Sequence, residues 1–241
     1  MDAPRPIRPL AEHVINQIAA GEVIERPASV VKELIENSVD AGASRIEVEI
    51  EGGGIERIVV SDNGSGIRGE EIAAALTRHC TSKLSDAAEL GSIASLGFRG
   101  EALASIAAVA EMRIVTRTTG SEHAWEVFSV PGEALAAPRP ARGNCGTRIE
   151  IARLFHQVPA RKRFLKQART EGLHVQRVVR QLAFARPDLG IGFQHGQGRG
   201  LRLPAGSFDE LSPRWQTLFG TISPTAPSSW DRRSAWSANA R

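Results

Sequence analysis

Hydrophobic and polar positions along the chain follow two periods. Leu10, Val14, Ile15, Ile18 and Ala19 fall at helical spacing, and Gly21 reads as the stop. A second helix is predicted from Pro27, whose missing N–H does no harm at a first helical position, to Asp40, ahead of Ala41-Gly42. The period then changes to two. Over residues 44–51, Ile46, Val48 and Ile50 alternate with Glu47, Glu49 and Glu51, the pattern of a strand with one wet face. Gly52-Gly53-Gly54 turns the chain into a second strand, 55–61, which ends at Asp62-Asn63-Gly64-Ser65-Gly66. Residues 70–78 and 100–109 read as helices, and 112–118, 123–130 and 147–152 as strands. Residues 131–144, rich in Pro, Ala and Arg, read as a linker. A third long helix is expected over 171–186, and 189–194 with 200–203 as a final hairpin. Strands in runs, with helices gathered to one side, predict an α+β fold. Its form is a two-layer α/β sandwich of mixed sheet and one helical layer, not a doubly wound sheet. Residues 221–241 keep neither period and read as an unpacked tail after one folded unit over 1–220.

The second helix carries the first chemistry. At about 100° per residue, Glu33, Glu36, Asn37 and Asp40 share one arc, with Val31, Leu34, Ile35 and Ser38 opposite. That arc holds no lysine or arginine, and it does hold an amide. A carboxylate and a carboxamide four residues apart can address one centre. Glu33 would accept a proton from water, and the Asn37 amide oxygen would ligate a hard cation such as Mg²⁺. At the end of the second strand, Asp62 offers an acceptor for an exocyclic amine of the kind adenine presents, with Gly64 and Gly66 letting a flat ring approach the backbone. A third stretch, Gly97-Phe98-Arg99-Gly100-Glu101-Ala102-Leu103, sets two glycines ahead of a helix start, where free N–H groups suit phosphate oxygens. Upstream, Thr81, Ser82 and Lys83 add hydroxyls and an ammonium.

Other classes fall away. No Gly-x-x-x-x-Gly-Lys-Ser/Thr occurs, so a P-loop enzyme is excluded. Gly196-Gln197-Gly198-Arg199-Gly200 has no helix after it and reads as a hairpin turn. With 41% hydrophobic and 24% charged residues in 241, wholesale disorder is excluded. No apolar run reaches the roughly 18 residues of a membrane span, and the start lacks a secretory core. Cys80 and Cys145 have no metal-ligand spacing, which suits reduced thiols in a cytoplasmic protein with no membrane partner. The net charge of +3 conceals an uneven layout. Residues 1–100 hold 10 basic and 16 acidic side chains, whereas residues 139–202 hold 14 and 3. The basic back suggests a polyanion.

In this order, the acid–amide helix, Asp-x-Gly-x-Gly, the glycine-rich phosphate loop and Gly146-Thr147 resemble the four nucleotide-binding motifs of the GHKL ATPases. Residues 17–42, 78–83 and 95–105 resemble, within that superfamily, the MutL family of DNA mismatch repair proteins, and a looser match runs from 7 to 220. The resemblance implies ATP and Mg²⁺ as cofactors. It implies Glu33 as general base, Asn37 as Mg²⁺ ligand and Asp62 as adenine reader, with Gly64 and Gly66 making room for the base. It assigns Thr81, Ser82 and Lys83 to the start of a flexible lid, Gly97, Arg99, Gly100, Glu101, Ala102 and Leu103 to its phosphate-binding end, and Thr147 to the adenine side. It further implies DNA contacts without sequence preference from the basic run 148–186, an ATP-dependent homodimer, and partners that recognise the mismatch and nick the strand.

Two departures bear on these expectations. Residues 155–161 read Phe-His-Gln-Val-Pro-Ala-Arg where the family has Phe-Tyr-Asn-x-Pro-Ala-Arg. The family's second domain, which supplies a lysine to the γ-phosphate, has no counterpart in 221–241, so Mg-ATP binding with poor hydrolysis is the expectation for this chain. The alternative from another class is a passive DNA-binding module, or an inactive fragment with a relic ATP site.

Overall fold

A computed structural model describes residues 8, 11–80, 100–198, 200–206, 214 and 217. Among them one mixed sheet runs in the order β5-β4-β3-β6-β2-β1-β7-β8. Its strands are β1 Arg45–Glu51, β2 Arg57–Asp62, β3 Glu111–Arg117, β4 Ala124–Ser129, β5 Arg139–Ala141, β6 Gly146–Ala152, β7 Gly190–His195 and β8 Leu201–Leu203. Neighbours are antiparallel except β1 and β7, which run parallel with Ile46 opposite Ile191 and Val48 opposite Phe193.

The period-two pattern decides which face is dry. Ile46, Val48 and Ile50 of β1 lie on one face with Ile58 and Val60 of β2, Ile149 and Ile151 of β6, and Met112 and Ile114 of β3, all buried. Each such side chain contributes roughly 2 kcal/mol when taken out of water. Three helices pack on this face: α2 Pro27–Asp40, α4 Ala102–Ala107 and α6 Ala168–Ala185. α2 buries Val30, Val31, Leu34 and Ile35, and α6 buries Val175, Val179 and Ala183. α1 Glu12–Val23 rests on α4. The expected α+β sandwich with helices on one face is what forms.

The opposite face carries an alternating charge ladder. Arg57 reaches Glu51 (3.0 Å) and Glu150 (2.6 Å), Arg113 pairs with Glu126 and lies 4.0 Å from Glu150, and Arg139 Nε donates to Glu126 at 2.8 Å. Phe128 lies under both Arg113 and Arg139, at 5.5 and 5.2 Å. Burial pushes the Glu126 carboxyl up, but hydrogen bonds from Arg139 and Arg113 outweigh it and hold the group below the ordinary glutamate range. The Arg57 hydrogen bond does the same for Glu150 against its burial, helped by the charges of Arg57, Arg148 and Arg113. A carboxyl depressed in the folded state stabilises above its unfolded pKa, about 4.3, and that contribution disappears as pH falls through the folded value. Glu126→Gln is therefore expected to lose about 1–2 kcal/mol at neutral pH and to converge with the parent chain in acid, as read by denaturant titrations across pH.

Several elements differ from their sequence expectations. α1 does not stop at Gly21 but continues to Val23. A Cβ at Gly21 would collide with the Arg161 guanidinium, which donates through Nη1 to the Ile24 carbonyl at 3.2 Å. That glycine serves a distant side chain rather than a helix end. The helix expected over 70–78 shrinks to a 3₁₀ turn, Gly69–Glu71, and α3 Ile72–Ala75. The expected linker holds the edge strand β5, too short to show a period. One short helix, α5 Pro159–Lys162, was not expected at all. Gly52–Gly54 is a 3₁₀ turn with three positive φ angles, and a Cβ at Gly53 would collide with the Ala168 carbonyl at the start of α6. The proposed tail over 221–241 lies outside the described residues.

Candidate nucleotide site

Asp62 closes β2, and its carboxylate gathers three segments. Oδ1 accepts from the Gly64 N–H at 2.8 Å and the Thr147 N–H at 3.2 Å, and Oδ2 lies 2.8 Å from the Ser38 hydroxyl. The first bond is an Asx-type turn, local and foreseeable from Asp-x-Gly. The other two span 85 and 24 residues. Ser38 sits among the buried side chains of α2, 3% exposed, and its hydroxyl also lies 3.1 Å from the Leu34 carbonyl. Through it the helix carrying Glu33 and Asn37 is bonded to the end of β2.

The glycines of this turn make room for protein. A Cβ on Gly64 would lie 2.8 Å from the Ala41 carbonyl oxygen, and one on Gly66, at φ +72°, would collide with the carbonyl of Arg117. Gly146, at φ +108°, lets β6 pass the Asp62 carbonyl where a side chain would not fit. Beside it Thr147 is buried, with its hydroxyl 3.1 Å from that of Thr116, and Thr116 Oγ1 accepts the Ile67 N–H at 2.8 Å. Asn63 points the other way. Its Oδ1 accepts the N–H groups of Ser44 and Arg45 at 3.0 and 2.8 Å, fixing the start of β1.

On α2, Glu33, Glu36, Asn37 and Asp40 are half-buried, and Val31, Leu34, Ile35 and Ser38 opposite them are buried. The stripe itself contains no cation, but Lys32 approaches Glu36 at 3.8 Å from the preceding turn. Beyond α3, the described residues on either side of 81–99 are Cys80 and Gly100. A Cβ on Gly100, at φ +62°, would lie 2.5 Å from the Cys80 carbonyl oxygen. Glu101 caps α4, Ala102 opens it and Leu103 packs on the core. Thr81, Ser82, Lys83, Gly97 and Arg99 lie outside the described residues.

Asp62, Gly64 and Thr147 are thus brought into direct contact, with Gly66 in the same turn and Gly100 to Leu103 at the start of α4. Gly146 belongs to the expected Gly146-Thr147 motif, whereas Ser38 and Thr116 were not among the expected site residues. Ser38 and Thr116 left a signal: each is a polar residue at a position whose period is otherwise apolar, and burial there demands a hydrogen-bonding partner.

This arrangement has relatives. Residues 24–130 match the family described as histidine kinase-, DNA gyrase B- and HSP90-like ATPase. The MutL mismatch repair proteins of Ralstonia nicotianae and Thiobacillus denitrificans are 50% and 51% identical over 193 and 199 residues, covering 80% and 83% of this chain. The solved ATPase domain of Aquifex aeolicus MutL, complexed with ADP, superposes with a TM-score of 0.67 at 30% identity, over 83% of this chain and 70% of that one. The chain belongs to the MutL family. Its match lies in the family's ATPase domain and spans about 30% of the length of the curated MutL proteins it resembles. A further solved structure, the N-terminal domain of a DNA repair protein, gives a TM-score of 0.69 at 26% identity. Among the described residues, no helix is long and apolar enough to cross a membrane.

Proposed function

We propose that this MutL-family domain binds ATP with Mg²⁺, hydrolyses it slowly, and uses nucleotide occupancy to drive dimerisation, DNA contact and signalling from mismatch recognition to strand nicking. The observation that carries the reading is Asp62. An ionised carboxylate accepts at about four positions. Ser38, Gly64 and Thr147 occupy three, which fixes the group, and the remaining capacity serves the exocyclic amine of adenine. Guanine presents a carbonyl at that edge and would be refused.

The phosphates belong to Gly100–Leu103, together with Thr81, Ser82, Lys83, Gly97 and Arg99. Asn37 suits Mg²⁺: a half-buried amide oxygen is a hard, neutral donor, and Mg²⁺ takes few protein ligands while keeping waters and phosphate oxygens. Among the described residues no cluster of three or more His, Cys, Asp or Glu competes for a softer metal. When bound, Mg²⁺ neutralises charge on the phosphate oxygens. Glu33 removes a proton from the attacking water as its oxygen bonds to the γ-phosphorus and the bond to the β,γ-bridging oxygen breaks, releasing ADP and phosphate.

For DNA the fold narrows the basic run. Arg148, Arg153, Arg161 and Arg186 are engaged within the fold, by Ser61, Glu111, the Ile24 carbonyl and Asp188. Lys162, Arg163, Lys166, Arg169, Arg177 and Arg180 are exposed around α5 and α6. These six form the proposed phosphate-contacting surface, with salt-sensitive affinity and no base preference. Titration of the purified chain with ATP and GTP analogues, with and without Mg²⁺ and with sizing of each mixture, tests the reading. ATP-selective, Mg²⁺-enhanced binding and a shift to dimer are expected, and equal response to the two nucleotides would overturn it.

A further inference from the structure

We infer that His79 and Glu101 form a clasp that holds residues 79–80 against 100–101 and so positions the phosphate-side stretch Gly100–Leu103; this rests on the ATP reading above. His79 Nδ1 lies 3.2 Å from Glu101 Oε1. The two backbones also meet one residue further in, where Gly100 packs on the Cys80 carbonyl with no space for a Cβ. His79 itself is left-handed, φ +62°, which is uncommon for a residue with a side chain and is maintained only when its surroundings compel it. A side-chain pair, a side-chain-free contact and a strained backbone thus converge on one juncture. The juncture feeds directly into the site. The Glu101 carbonyl accepts the Ser105 N–H at 2.8 Å and closes the first turn of α4, and α4 packs on α1 and α2.

The clasp also explains why an acid stands in a phosphate-side stretch. A carboxylate has no proton to donate to a phosphate and repels it at short range. Paired with the imidazole, the Glu101 side chain is held on His79, and the backbone of 100–103 is left for the nucleotide. Both side chains are positioning residues. His79 is exposed and Glu101 is partly so, hence the pair orders a local segment and adds little to global stability.

The test uses His79→Gly, which keeps the left-handed backbone and removes the imidazole, Glu101→Gln, which keeps the shape and removes the charge, and the double variant. In the nucleotide-free protein each is expected to speed hydrogen exchange at the Ser105 amide. Each is also expected to weaken a non-hydrolysable triphosphate analogue by about fivefold while leaving adenosine affinity unchanged. The double variant should match the singles, because one interaction is removed once. Tighter triphosphate binding by Glu101→Gln would overturn the inference, since it would mean the carboxylate simply faces the phosphates. Unchanged Ser105 exchange, or additive losses in the double variant, would overturn it as well. If the parent chain binds no triphosphate analogue, the ATP reading fails, and the exchange measurement still decides the clasp.

Discussion

Asp62→Asn is expected to weaken ATP binding by roughly 10- to 100-fold, the loss of one charge-assisted hydrogen bond together with the order it imposes. The substitution is nearly isosteric, so its effect lies in donor and acceptor balance. As an acceptor, the Asn oxygen can still take the N–H groups of Gly64 and Thr147. Its NH₂ group would then face the Ser38 hydroxyl, which can rotate to accept. The adenine amine cannot rotate in this way, and two donors would meet where one acceptor stood. Isothermal titration with an ATP analogue, alongside a thermal unfolding curve to confirm the fold, reads the outcome. An affinity within twofold of the parent would remove Asp62 as the adenine reader.

The second large effect concerns turnover. Glu33→Ala should leave nucleotide affinity within about twofold and reduce steady-state hydrolysis by roughly 10²- to 10⁴-fold, the usual contribution of a positioned general base. Affinity is spared because Glu33 acts on water and not on the nucleotide. Its place on α2 makes the two variants informative together. Ser38, five residues on, ties the same helix to Asp62, so a general disturbance of α2 would weaken binding in both. Loss of turnover with intact binding in Glu33→Ala, against loss of binding in Asp62→Asn, separates chemistry from recognition. If neither changes anything measurable, a passive module with a relic site is the better reading.

The long elements were legible because their signal is local. Pro27–Asp40 was bounded by a proline at its first position and by Ala41-Gly42 after it, and the structure has it at those limits. β1 showed its wet and dry faces in the six residues from Ile46 to Glu51, where Ile or Val alternates with Glu. Gly21 misled because a glycine in a helical run can mean a stop or a close neighbour. That neighbour, Arg161, is 140 positions away. β5 and α5 span three and four residues, too few for a period to emerge.

By itself the sequence determined the long helices, the main strands, the α+β class, an acid–amide helix and an Asp-Gly turn, because periodicity and turn chemistry act between near neighbours, and its motifs carried the resemblance to MutL. Only the tertiary structure decided that Ser38 and Thr147 hold the Asp62 carboxylate, that Thr116 backs Thr147, and that four cations of the basic run are engaged within the fold. The pairings among Asp62, Ser38, Thr116 and Thr147 join distant segments across a mixed sheet. They exist only because burial on its dry face leaves each polar group no water, and so requires each to find a partner in the chain.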